Sequence, residues 1–364
     1  MTTVQTADIQ LVDIEAELTR LWESRQEKDH IKACLCTLVV YIPDQEQELF
    51  LKKMVHSFIE KFPCRIIFIQ GLPANEDNSL RVSVSNAIVG VGKVSITCDQ
   101  ITIDVGKKLV HRVPFIVLPH LVADLPIYFL WGQDPTTEKD ILPKLKKYAT
   151  RLIFDTSAVS DLKAFSQRMQ VLLGSQHNLG FMDMNWARIY GWRQVLSQIF
   201  DTQEKNDQLR YSKSIRINYN GKTEGCFKQS EMQVMYLVGW LAAQFHWKFV
   251  DSKCNAKEKC LTYENGKGKL VITLSPQSKA DLPSGEILEA EVVGEDGAVY
   301  SFLPVSNQPK VVVHISTEEK CELPYVIALP DLKRSSSMIK TILYHETSGH
   351  YKQMLQAVEK IGIG

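Results

Sequence analysis

Apolar positions in the first half of the chain switch between short continuous runs and helical spacing. Leu11, Ile14, Leu18 and Leu21 keep the three-and-four spacing of one helix face. CLCTLVVYI at 34–42 follows as a strand. Pro43-Asp44 then opens a helix, with Asp44 as cap and Gln47 three residues on, and Phe50, Met54 and Phe58 form its inner face. RIIFIQG at 65–71 is apolar at nearly every position, the mark of a strand buried on both faces of a parallel sheet. VSITCDQITIDV at 94–105 alternates and reads as a half-exposed strand. FIVLP (115–119), PIYFLW (126–131) and RLIFD (151–155) read as three more strands. Ser160 starts a helix with Leu162, Phe165, Met169 and Leu173 on one face. This alternation predicts an α/β domain with a mostly parallel sheet over residues 1–202.

Residues 183–201, DMNWARIYGWRQVLSQIFD, project as one helix. Trp186, Ile189, Trp192, Leu196, Ile199 and Phe200 fall in an apolar arc about 140° wide. Arg193 points into that arc, so its guanidinium needs a carboxylate, a carbonyl or an aromatic face. Asp124 and Asp155 are the expected carboxylates for Arg193 or for Arg65. Asp183 can cap the helix, and Asp201 stands near its C-terminus, where the macrodipole disfavours an anion and a specific partner is expected. Past the polar stretch QEKNDQ (203–208), expected to be a linker, the pattern changes. Ser230 and Gln233 make a capping box before a nearly all-apolar helix reaching Phe245. Strand-like runs then meet at Asn265-Gly266 and Asp296-Gly297, both good hairpin turns. A last helix is expected over 335–361. Residues 209–364 thus read as an α+β domain with an antiparallel sheet.

Composition narrows the function classes. Lys+Arg and Asp+Glu each number 42, so the net charge is zero. That removes the bulk electrostatic argument for nucleic acid or a membrane surface. The longest apolar run, Val234 to Ala243, is too short to span a bilayer. The acidic N-terminal stretch lacks the apolar core of a signal peptide, and a cytoplasmic location is expected. The eight cysteines show no zinc spacing and read mostly as reduced core residues. Cys254 and Cys260 differ: they lie in the polar segment DSKCNAKEKC, where lysines would lower a thiol pKa. GVGK at 90–93 has neither a dinucleotide fingerprint nor P-loop spacing and reads as a glycine turn. His345 and His350 in HETSGH are five apart, the wrong interval for a helical zinc pair, and KRSSS at 333–337 reads as a helix cap. In LPHLVADLP (118–126) two prolines flank Asp124 on a loop, at an edge of the sheet where ligand contacts are expected. No catalytic residue, metal site or cofactor site is proposed by any motif.

Several segments carry a resemblance. W-A-R at 186–188, W-R at 192–193 and F-D at 200–201 form an ordered signature. With it come CTLVVYIP (36–43), FPCRIIFI (62–69) with a P-x-R strand start, ITCDQITI (96–103), FIVLPHLVADLPIYFLW (115–131), RLIFDTS (151–157) and VGWLAAQFHW (238–247). Together they resemble the glucose-6-phosphate dehydrogenase assembly protein family (OpcA). Two positions depart from its pattern: Asp99 stands where Glu is usual, and Leu130 with a single Trp131 stands where paired Trp is frequent. The resemblance implies a non-catalytic protein without cofactor, whose partner is glucose-6-phosphate dehydrogenase. Arg65, Asp124, Trp131, Trp186, Arg188, Trp192, Arg193, Asp201 and Trp247 become the signature positions, partner-binding or structural. The aromatic stripe is expected to face its own core, with Trp131, Trp192 and Trp247 as candidate partner contacts. Some family members are linked to redox control, which marks Cys254 and Cys260 as a possible redox pair. The alternative is a sugar-phosphate or nucleotide-binding enzyme or sensor using the loop around Asp124.

Overall fold

The computed structural model describes residues 7–8, 13–24, 30–91, 94–175, 179–223, 229–255, 258–306, 308–317, 319, 321–329 and 348–361. The chain divides into two compact units, 1–155 with 176–182, and 156–175 with 183–364. The stretch 203–208, expected as a linker, is instead part of a helix inside the second unit. Thr202 caps that helix by accepting from the Lys205 N–H, a local signal the polar composition hides.

The first unit is built on a nine-stranded sheet. In chain order its elements are β1 (Ala7–Asp8), α1 (Ile14–Glu23), β2 (His30–Lys32), β3 (Cys36–Ile42), α2 (Gln45–Ile59), β4 (Cys64–Gly71), β5 (Leu80–Val91), β6 (Val94–Val105), α3 (Val113–Val117), β7 (Ile127–Trp131), α4 (Leu142–Leu145), β8 (Arg151–Phe154) and, after α5 (Leu162–Ser175) of the second unit, β9 (Gly180–Asp183). The strands lie in the order β1-β5-β6-β4-β3-β7-β8-β9, with β2 beside β6. β3 runs parallel to β4 and β7, β4 to β6, and β7 to β8. Counted along the chain from β3, and leaving out the antiparallel β5, this is the 3-2-1-4-5-6 order of a doubly wound dinucleotide-binding sheet. Ile66, Ile67, Phe68 and Ile69 are all buried, so β4 is covered on both faces as its continuous apolar run requires.

One expectation fails here. FIVLP is not a strand: α3 and a 3-10 turn at Leu118–His120 occupy it. Pro114 sits in the first helical turn, where its fixed φ favours a helix, and a short apolar run alone does not separate helix from strand. The 80–91 segment is a long strand that pairs with β6 through Val91 and Val94. Of the GVGK segment, Gly90 and Val91 belong to β5, and Gly92 and Lys93 lie outside the described residues.

The second unit continues with α6 (Met184–Arg188), α7 (Tyr190–Ile199), α8 (Gln203–Arg210), β10 (Ser214–Asn220), α9 (Met232–Phe245), β11 (Lys248–Cys254), β12 (Lys259–Glu264), β13 (Lys269–Gln277), β14 (Ile287–Val293), β15 (Val299–Pro304), β16 (Lys310–Ser316), β17 (Tyr325–Ala328) and α10 (Gly349–Ile361). Its eight strands lie in the order β11-β12-β13-β10-β14-β15-β16-β17. The sheet is antiparallel except between β10 and β13, which run parallel. Both anticipated turns form, with Gly266 at φ 92° and Gly297 at φ 90°. Alternation sorts the faces: Ile215, Ile217, Val311, Val313 and Ile315 are buried, while Arg216, between Ile215 and Ile217, is exposed. The capping box at Ser230 does not form. Ser230 donates to the Gly221 carbonyl instead, and Gln233 bonds the Ser284 carbonyl. Residues 333–347, including KRSSS, His345 and the first part of the expected last helix, lie outside the described residues.

Candidate functional site

A doubly wound sheet offers its ligand site outside the carboxyl ends of the strands, at the point where the strand order reverses. Here that point lies between β3 and β7. Tyr41 and Trp131, near and at the last positions of these strands, stack with ring centroids 4.5 Å apart, and Trp131 is only 1% exposed. The strand ends are drawn together: the Gly132 N–H donates to the Tyr41 carbonyl at 3.0 Å. A Cβ on Gly71 would stand 2.3 Å from the Pro43 oxygen, and one on Gly132 would stand 2.6 Å from Gln47 Oε1. Only glycine permits this approach. Where a dinucleotide-binding turn leaves room for a pyrophosphate over the helix N-terminus, this chain places Pro43 and Asp44. The Asp44 carboxylate takes the Gln47 N–H at 3.1 Å, as the capping box predicts. The charge at this mouth is negative as well. Burial and the carboxylates of Glu138, Asp140 and Asp44 push the Tyr41 phenol up to about 12.

The signature helix is two helices, α6 and α7, joined at Ile189. Its first residues surround a buried carboxylate. Asp183 Oδ1 accepts from the Asn185 N–H at 2.9 Å and from Thr156 Oγ1 at 3.0 Å. Oδ2 accepts from the Tyr236 hydroxyl at 2.6 Å and from the Tyr351 hydroxyl at 3.2 Å. Asn185 Nδ2 donates to Thr156 Oγ1 and Ser157 Oγ, both at 2.9 Å, while Arg188 donates to Asn185 Oδ1 at 2.7 Å. Burial and the Asp183 charge hold both phenols well above the ordinary tyrosine value. This network ties α6, α9 and α10 together. Its hydroxyls stay protonated and its carboxylate is enclosed, so its role is positional. Tyr236 and Tyr351 escape the sequence reading. A tyrosine inside an otherwise apolar helix, needing a partner for its hydroxyl, is the signal that could have found Tyr236.

Arg193 finds two of the three groups its position demands. Its guanidinium lies 3.5 Å from the Trp186 ring centroid and donates to the Trp186 carbonyl at 3.3 Å. Neither Asp124 nor Asp155 pairs with it. Burial without a carboxylate pulls its pKa down to about 10. Trp186 also packs on Tyr351, with centroids 5.6 Å apart.

Arg65 likewise does not use Asp124 or Asp155. It bridges Glu15 at 2.7 Å and Asp99 at 3.1 Å, and it also donates to the His120 carbonyl. Lys32 reaches the other Asp99 oxygen at 3.0 Å, and the His120 ring meets Glu15 at 2.7 Å. Asp99, one of the two positions departing from the resembled pattern, is thus paired by two cations at 5% exposure. Burial opposes the charge on Glu15, yet the His120 and Arg65 bonds outweigh it and lower the Glu15 pKa.

The remaining signature positions separate. Trp131, Trp192 and Trp247, candidate partner contacts in the sequence, are all buried. The stripe of α7 is core, as its amphipathic pattern favours. Trp247 is anchored through Nε1 to the Arg210 carbonyl at 2.8 Å. Asp201 is exposed and meets no partner among the described residues. It stands at the positive end of α8, which offsets the unfavourable end of α7. Asp124 is exposed on the turn before β7, at the amino end of that strand, not at the carboxyl edge where doubly wound sheets bind ligands.

The cysteine pair also fails on register. Cys254 lies opposite Lys259, and Cys260 opposite Lys253. Side chains alternate along a strand, so the two thiols project from opposite faces and cannot join without rebuilding the strand pair. Cys36, Cys64 and Cys98 are free, buried core thiols, as dispersed cysteines predict. Burial pushes the Cys98 thiol up to about 11. Among the described residues no group of three or more His, Cys, Asp or Glu is disposed to hold a metal ion. No described helix is long and apolar enough to cross a membrane.

The molecule is therefore a doubly wound α/β unit followed by a mixed-sheet α+β unit. Residues 56–171 match the domain family described as the glucose-6-phosphate dehydrogenase subunit N-terminal domain, and residues 179–352 match the corresponding C-terminal domain. The chain belongs to this family, the OpcA proteins of glucose-6-phosphate dehydrogenase assembly. The OxPP cycle protein OpcA of Synechococcus elongatus is 27% identical over 198 residues, which cover 54% of this chain and 42% of that protein. The OpcA of Nostoc punctiforme is 23% identical over 190 residues, covering 51% and 38%. The match spans less than half the length of these relatives. Among solved structures, an aldose-aldose oxidoreductase from Caulobacter crescentus superposes with a TM-score of 0.50 at 9% identity, covering 90% of this chain and 96% of that one. A probable oxidoreductase, yhhX, gives 0.50 at 10% identity, with 90% and 95% covered. At such identity the likeness is one of fold.

Proposed function

We propose that this chain is a non-catalytic assembly factor that binds glucose-6-phosphate dehydrogenase and raises the population of its active oligomer. The observation that carries the non-catalytic half is the crevice between β3 and β7. Pro43, Asp44 and Gln47 form its rim, packed against Gly71 and Gly132, and Asp44, Glu138 and Asp140 give it a negative charge that disfavours a phosphate. Family membership supports the partner. The mechanism is linkage: a protein that binds one assembled state of an enzyme better than another shifts that equilibrium by the difference in affinity. A tenfold preference is worth about 1.4 kcal/mol, enough to move a balanced equilibrium to mostly assembled.

The test is the specific activity of the purified cognate dehydrogenase, diluted until it loses activity, with this chain added in steps. The reading expects activity to rise and saturate at a fixed ratio of the two proteins. An activity that stays flat across the titration would sink it.

A further inference from the structure

A second concavity lies in the second unit, apart from every signature residue except Trp247. It has a volume of about 410 Å³ and sits among the C-terminal end of α9, the first strand residues of β11, Tyr263 of β12 and the outer face of α10. That is within the size range of small-ligand sites. Its floor is aromatic: Trp247 and Tyr263 have ring centroids 6.1 Å apart, and Phe249 stands 5.6 Å from Tyr263. Its rim is polar. Gln353, Gln356 and Lys360 follow one another at helical spacing along α10, and His246 and Lys248 approach from the other side.

Tyr263 lines the cavity with its ring at 1% exposure, and its hydroxyl is sealed from solvent, with no partner among the described residues. The ring thus supplies an apolar wall, and the polar contacts fall to the rim. His246 adopts φ 56°, a left-handed conformation found at no other described non-glycine residue. This turn ends α9 and sends Trp247 inward, where its indole N–H is fixed on the Arg210 carbonyl. A left-handed residue is a common way to end a helix, and here it sets the direction in which Trp247 enters the floor.

The chemistry of the lining selects the ligand. Lys248, Lys360 and His246 face the space and no carboxylate lines it, so it favours an anion. Two glutamine amides can each donate and accept, which suits a ligand rich in hydroxyls. The indole and phenyl walls suit the apolar face of a ring. We infer that this cavity binds a phosphorylated monosaccharide, with Lys360 and Lys248 on the phosphate, Gln353 and Gln356 on the hydroxyls, and Trp247 against the ring.

The test needs this chain alone, so its outcome is independent of whether the dehydrogenase is the partner. Calorimetric titration of the full chain with glucose 6-phosphate, glucose and inorganic phosphate is the measurement. Saturable binding of glucose 6-phosphate is expected, with a Kd at least about tenfold below those of the other two. Lys360→Gln should weaken it about tenfold or more. Gln356→Leu should weaken it while leaving the melting temperature unchanged, because Gln356 is exposed on α10. Absence of binding at millimolar glucose 6-phosphate overturns the inference. Equal affinity for inorganic phosphate, or binding indifferent to both substitutions, overturns it too.

Discussion

Trp131 lies stacked on Tyr41, centroids 4.5 Å apart, across the two strands where the order of this doubly wound sheet reverses. Beside them a cap carboxylate, Asp44, stands at the helix N-terminus where a phosphate would bind. The expected outcome is that NAD⁺, NADP⁺ and their reduced forms do not bind saturably, as followed by quenching of tryptophan fluorescence. Trp131→Ala should lower stability by about 3–5 kcal/mol, the usual cost of emptying a large aromatic from a core, as read by denaturant unfolding.

Asp183 gathers four donors, and their loss should be graded. Tyr236→Phe removes one hydrogen bond to a charged group and should cost about 1.5–3 kcal/mol. Asp183→Ala leaves the Tyr236, Tyr351 and Thr156 hydroxyls and one backbone N–H to be satisfied elsewhere, at about 3 kcal/mol or more. Urea unfolding of the two variants checks the order. Equal effects would show that Asp183 is not the centre of the network.

Arg193 leaves no carboxylate behind when removed, because its partners are a ring and a carbonyl. Arg193→Met should therefore cost no more than about 1–2 kcal/mol, the scale of a desolvated cation–π contact. A loss of about 4 kcal/mol would point to a buried anion facing it.

The Arg65 cluster sets an acid limb. Glu15 has its pKa lowered below the ordinary 4.5. A carboxylate depressed in the folded state adds stability that is present above its unfolded value and fades as pH falls through the folded one. The melting temperature of the wild type should drop below about pH 4.5, and Glu15→Gln should flatten that drop. Glu15 is half exposed, which keeps the effect modest.

Cys254→Ser with Cys260→Ser should respond to oxidant as the wild type does, because the two thiols lie on opposite faces of the strand pair. A disulfide between them in a peptide map would require β11 and β12 to re-register.

Much of this architecture is legible in the sequence, and the failures share a cause. The buried run at 65–71 and the hairpin turns at Gly266 and Gly297 follow from local period and φ preference, and both formed. FIVLP failed because five apolar residues carry no period long enough to separate strand from helix. The partners of Arg65 and Arg193 failed because pairing is a tertiary fact: Glu15 and Arg65 are 50 residues apart. The missing phosphate fingerprint was plain, but the Tyr41–Trp131 stack needs the parallel register of β3 and β7. Tyr351 on Asp183 spans 168 residues and has no local trace.

The central claim is that this chain binds the dehydrogenase and favours its assembled form. The most direct measurement is sedimentation velocity of fluorescently labelled dehydrogenase at a concentration where it is partly dissociated, with and without this chain. The account predicts a faster-sedimenting species containing both proteins, and depletion of the small dehydrogenase forms. An unchanged distribution at a several-fold excess of this chain would contradict it.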